Sequence, residues 1–212
     1  KTSSKSRTEK RRRSNRKSRK RRSMSVENLE GRRVFAAMFD GFQPTGVHEG
    51  HSNSFQSSIV WDASSGILTL DGTLGDDTAS VSQVTNFSRT FEANLNGTTR
   101  TIALGRMESI SEIVFEGHAG DDTFVNNTNI DSDANGGQGN DTLTGGTGTD
   151  NLKGGGGDDT LVGGGGVDYL HGSEGTDSLS GGDGDDYMYG DDGQDVMDGG
   201  EGDDRMYGGD DA

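Results

Sequence analysis

No cysteine occurs anywhere in the 212 residues. That excludes a disulfide framework and a thiolate zinc site, so a small fold would have to be held by another kind of crosslink, and a hard cation bound by oxygen ligands would serve. Apolar residues are scarce as well, at 26%, which argues against a large packed interior. Low hydrophobicity with high net charge is also the mark of disorder, because such a chain buries too little apolar surface to offset its conformational entropy. Long hydrophobic runs are missing. The apolar stretch at residues 34–39 is far too short to span a bilayer and shorter than a secretory h-region, so no transmembrane segment is expected. Catalytic motifs are wanting too: there is no G-x-S-x-G elbow, phosphate loop or Cys-His pair. HEGHSN places its second histidine at His51, where H-E-x-x-H would need it at Ser52, and Gly50 argues against a helix. The chain reads as non-catalytic.

What the chain does have is divided. Residues 1–33 hold 15 basic and three acidic residues, a net of +12, leaving 5 basic and 33 acidic residues, a net of −28, for the rest. The basic arm lacks apolar periodicity and is expected to be disordered. Its alternative role is nucleic-acid or anionic-polymer binding through phosphate contacts; the absence of any aromatic residue to stack on bases favours a targeting or solvated tail. Within it, RRSMSVENLEGRRVFAA resembles the short N-terminal element of many large exported proteins of planctomycete-type bacteria.

Three regions follow: residues 1–53, the basic arm with this export-like element; residues 54–135, an irregular β lead-in; and residues 136–212, a regular repeat array. In the lead-in, SSIVWDASSGILTLDG gives two short apolar runs around a turn at residues 63–66. FEANLNGTTRTIALG places Asn96-Gly97 between alternating segments, a hairpin signal, and ISEIVFEG is a further strand. GTLGDDTASV and GHAGDDTFVN, 45 residues apart, look like degenerate copies of the downstream repeat.

From Gly136 the chain falls into nines: GGQGNDTLT, GGTGTDNLK, GGGGDDTLV, GGGGVDYLH, GSEGTDSLS, GGDGDDYMY, GDDGQDVMD and GGEGDDRMY. All eight keep glycine at positions one and four, aspartate at six, and leucine or methionine at eight. A six-residue turn and a three-residue strand reverse the chain every nine residues, so two units make one coil and units 18 apart stack. On this reading only the eighth position points inward. One edge then presents Asp141, Asp159, Asp177 and Asp195 and the other Asp150, Asp168, Asp186 and Asp204, with three gaps on each edge. Ser173 and Asp191 replace the second glycine, a strained choice if that position needs positive φ.

These units resemble the RTX (repeats-in-toxin, haemolysin-type) calcium-binding nonapeptides. The resemblance implies an all-β, right-handed parallel β-roll, a β-helix solenoid, preceded by irregular β coils and hairpins. It implies Ca2+ between turns stacked on one edge, held by the eight aspartates above and by main-chain carbonyls, of which those of Gly137, Gly139, Gly146, Gly148, Gly155, Gly157, Gly164 and Gly166 are candidates. Asp77 and Asp122 of the degenerate copies are weaker candidates. It also implies a secreted or cell-surface module with a structural or adhesive role, folded by calcium after export, or an accessory module of a larger secreted enzyme. Residues 117–212 carry 23 acids against Lys153 and Arg205, so the empty turns repel one another and binding and folding should be one event.

Positions seven and nine face outward. On one sheet they gather Tyr169, His171, Tyr187, Tyr189 and Tyr207, including all four tyrosines of the chain. This face is a candidate surface for a glycan, a protein partner or self-association; cross-strand stacking is the plainer reason for its composition.

Overall fold

The structure is a computed structural model that describes residues 56–85 and 89–210. The basic arm, the export-like element and HEGHSN lie outside the described residues. Within them there are strands and turns and no helix.

Ser58–Asp62 (β1) and Ile67–Asp71 (β2) form an antiparallel pair around the expected turn, with Asp62 opposite Ile67. Thr78–Gln83 (β3) is followed by Thr90–Leu95 (β4) and Thr98–Ala103 (β5). The last two form a hairpin closed by Asn96 and Gly97, at φ 53° and 76°, the pair of left-handed residues a type I′ turn requires. Glu112–Ala119 (β6) and Thr123–Asn127 (β7) complete the lead-in. Ser132–Gln138 (β8) runs from the lead-in into the repeats, which supply Thr142–Thr144 (β9), Asp150–Gly156 (β10), Thr160–Gly165 (β11) and Tyr169–Glu174 (β12). Ser178–Asp183 (β13), Tyr187–Asp192 (β14), Val196–Glu201 (β15) and Arg205–Tyr207 (β16) follow.

The strands form two eight-stranded sheets, in the orders β1-β2-β6-β8-β10-β12-β14-β16 and β15-β13-β11-β9-β7-β3-β4-β5, and alternate between them from β6 onward. Pairing is parallel throughout both sheets except at β1–β2, β3–β4 and β4–β5, where antiparallel strands close the N-terminal end. The molecule is therefore a β-solenoid, and its sheets continue through residue 136 back to Ile67. The two degenerate copies are stacking neighbours: Thr78 pairs with Thr123 and Ala79 with Phe124, so β4, β5 and β6 are what their 45-residue spacing encloses.

Thr142–Thr144 and Arg205–Tyr207 span the expected three residues, but the other strands of the array are longer. β11 to β15 each span six, covering positions seven to nine of one unit and one to three of the next. Glycine backbone pairs across the sheet as well as any other, but without side chains it leaves no period-two signal. The turn shrinks to positions four to six, and alternation along the longer strand turns positions six, eight and one inward together. The eighth-position side chains Leu143, Leu152, Leu161, Leu170, Leu179 and Met188 are fully buried, whereas Met197 is partly buried and Met206 is 50% exposed. Toward the N-terminus the interior thickens with Leu68, Leu70, Val81, Ile113 and the stacked pair Phe115–Phe124.

Candidate metal centre

Because position six lies on the inner side of the chain, its aspartates are buried rather than displayed on an open rim. Asp122, Asp141, Asp150, Asp159, Asp168, Asp177 and Asp186 are at most 2% exposed. Their Oδ1 atoms build ladders along each edge. On the first edge the N–H of Asp77 donates to Asp122 Oδ1 (2.7 Å) and that of Asp122 to Asp141 Oδ1 (2.8 Å). The series continues through Asp159 and Asp177 to Asp195 at 2.8–2.9 Å. On the second edge the N–H of Asp150 donates to Asp168 Oδ1, Asp168 to Asp186 and Asp186 to Asp204, at 2.8–3.0 Å.

The second oxygen of each carboxylate is another matter. Oδ2 of Asp122, Asp141, Asp159, Asp168, Asp177, Asp186 and Asp195 is buried without a hydrogen-bond partner. A buried acceptor left unsatisfied costs about 1–3 kcal/mol, more when charged. Burial pushes the carboxyls of Asp159 and Asp168 up to about 7 and that of Asp122 to about 6, with the neighbouring aspartates adding to the rise. Those of Asp141, Asp177 and Asp186 are raised for the same first reason. Of the cationic residues in this stretch, Lys153 and Arg205 are both exposed on outer strand positions, so no side chain neutralises the rows from within.

Two predicted ligands differ from the rest. Asp150 accepts from the N–H and hydroxyl of Ser132 at Oδ1 (2.8 and 2.6 Å) and from the N–H of Gly146 at Oδ2 (2.7 Å). Asp77 is likewise satisfied, by the Thr73 N–H at Oδ2 and the Asn96 amide at Oδ1. Asp122 is the reverse case: a degenerate copy by sequence, it carries the same orphaned oxygen as the regular units. Asp204, in the outermost coil, is half-buried.

Glycines define the rest of the cradle. At position one a Cβ on Gly154 would collide with Asp159 Oδ2, so the missing side chain is the space in which the carboxylate rests. At positions two and four the carbonyl oxygens point along the stack. Those of Gly137, Gly139, Gly146, Gly148, Gly157, Gly164 and Gly166 lie against the Cα of the glycine 18 residues on, where a Cβ would strike them; Gly155 pairs instead with Ser173. Gly155 itself has φ 125°, and the replacements Ser173 and Asp191 adopt φ 90° and 69°, so the expected strain is present at both.

Among the described residues no three His, Asp or Glu side chains converge as a metal cluster. A cation here would draw on main-chain oxygens as well as carboxylates. Stacked strands repeat every ~4.8 Å, and a Cβ on Gly163 would meet both Asp168 Oδ2 and the Gly181 carbonyl of the next coil, so a carboxylate and a carbonyl from stacked coils share one small space. Anionic, all-oxygen and flexible in number, this donor set fits Ca2+.

Residues 135–170, 162–197 and 180–212 match the family of the RTX calcium-binding nonapeptide repeat (four copies). No curated protein and no solved structure matches the chain.

Proposed function

We propose, from the premise that residues 135–212 are RTX calcium-binding repeats that bind Ca2+ in a structural role, that calcium is what folds them. The observation that carries this reading is the file of buried, unpartnered carboxylate oxygens. Seven Oδ2 atoms repel one another and lack solvent, while Lys153 and Arg205 stay on the outer face; a divalent ion supplies to each edge the charge and coordination that these carboxylates lack. We assign Oδ2 of Asp122, Asp141, Asp159, Asp168, Asp177, Asp186 and Asp195 and the carbonyls at positions two and four as ligands. Asp204 serves the outermost coil, and Asp150 and Asp77 serve as hydrogen-bonded ends of the rows. The protein's residues hold ladders in register, keep water off the carboxylates and present carbonyls along the axis; bound calcium supplies the positive charge.

The role is non-catalytic and belongs outside the cell or on its surface, where calcium is plentiful enough to fill the rows after export. The outer face bearing Tyr169, His171, Tyr187, Tyr189 and Tyr207 is the candidate for adhesion to a glycan, a protein or a second copy. Far-UV circular dichroism of the full chain tests the folding reading: β-structure should appear on adding calcium and disappear in chelator. An undiminished β signal in chelator at neutral pH would overturn it.

A further inference from the structure

The fold sorts the four tyrosines into two in-register pairs on the outer face of the first sheet. Tyr169 on β12 opposes Tyr187 on β14, with ring centroids 5.0 Å apart and planes within 8°. Tyr189 opposes Tyr207 on β16, again at 5.0 Å and within 9°. The opposite side of each inner ring is closed: the Arg205 guanidinium stands 5.0 Å over Tyr187 and donates to its hydroxyl at 3.0 Å, and His171 stacks on Tyr189 at 4.5 Å. Tyr187 and Tyr189 thus have one tyrosine neighbour each in the stacks. Both faces of the inner rings are thus covered, whereas Tyr169 and Tyr207 each stack on one side and are 40% and 52% exposed, so solvent reaches their ring edges. A tyrosine ring edge carries the hydroxyl and the ortho carbons, where a phenoxyl radical holds much of its unpaired spin.

We infer that Tyr169–Tyr187 and Tyr189–Tyr207 are sites of oxidative coupling to dityrosine, by a peroxidase-class oxidant using hydrogen peroxide. Each phenol gives up one electron and one proton. The two radicals join through their ortho carbons, and the displaced ring hydrogens move to the oxygens, restoring both phenols. The pair loses two hydrogens in all, and one hydrogen peroxide accepts the two electrons and two protons to leave two waters. The bonds close loops from residue 169 to 187 and from 189 to 207 and together tie β12, β14 and β16. In a chain without cysteine they form a covalent staple over the C-terminal coils, whose core is thinnest. Like a disulfide, such a bond restricts the unfolded chain. The inference rests on the calcium-held roll proposed above.

The test treats the full chain, in calcium, with a haem peroxidase and hydrogen peroxide. The monomer should lose two hydrogens per bond and gain dityrosine fluorescence, and peptide mapping should join Tyr169 to Tyr187 and Tyr189 to Tyr207. Tyr169→Phe should abolish only the first link and Tyr207→Phe only the second. Circular dichroism on the same samples establishes that the roll is folded, so a failure of calcium folding registers separately. In a folded roll, absent coupling or scrambled partners would overturn the assignment. Coupled protein should keep more β-structure in chelator than uncoupled protein; equal loss would overturn the stapling role.

Discussion

At the scale of single residues, the sixth-position aspartates differ in what remains for a ligand. Asp168 Oδ2 is buried and unpartnered, whereas Asp150 Oδ2 already accepts from Gly146. Asp168→Asn should therefore raise the calcium midpoint by about tenfold, equivalent to ~1.4 kcal/mol, and Asp150→Asn by much less; calcium titrations of the two variants measure the difference. Equal shifts would mean that the free oxygen is not what binds. Ser173 makes the opposite kind of prediction. Its φ of 90° costs a residue with a Cβ roughly 1–2 kcal/mol, part of which glycine returns as unfolded-state entropy. Ser173→Gly should stabilise the calcium-loaded roll by about 0.5–1 kcal/mol in a denaturant midpoint. This strain was legible in the sequence as a departure from the second glycine. The orphaned oxygen was not, since the pattern fixes where an aspartate recurs and not which of its oxygens a neighbouring N–H has taken.

At the scale of the strand and turn, the nine-residue period, the stacking of units 18 apart and the inward leucines followed from the sequence. The inward aspartates did not. Positions one to three are mostly glycine and carry no alternation, so they read as turn, yet they extend the strands β10 to β15, and position six turns to the inner side. The lead-in hid its kinship for a related reason: in the first sheet the column of Asp150, Asp168 and Asp186 continues upstream as Ser132 and Ile113 and then Leu68, so the coil persists where its signature is lost. Burial of the ladder also fixes its pH behaviour. The carboxyls of Asp159 and Asp168 stand at about 7 in the cation-free roll against an ordinary 3.8, and that of Asp122 at about 6. Between those limits the folded state holds more protons than the unfolded one. The stability these groups contribute is complete below about 4 and is lost as pH rises through about 7. In chelator, β-structure by circular dichroism should be greater near pH 4.5 than at pH 8; the reverse order would contradict a buried, unpaired ladder.

At the scale of the whole molecule, stability should grade from one end to the other. The N-terminal coils bury Leu68, Leu70, Ile113, Phe115 and Phe124 beneath antiparallel strands, and Asp77 at the head of the first row is fully hydrogen-bonded. The C-terminal coils have one inward apolar residue per unit and end with Met197 partly and Met206 half exposed. Calcium withdrawal should raise amide exchange first in β12 to β16 and last in β2, β6 and β7, as measured by hydrogen exchange on the full chain. The most direct test of calcium-coupled folding is a calorimetric calcium titration of the full chain at neutral pH, followed in parallel by circular dichroism. Heat and β-structure should rise together and saturate at the same calcium concentration, as the orphaned carboxylate oxygens are filled. Saturable heat with no gain of β-structure, or β-structure complete before calcium is added, would contradict it.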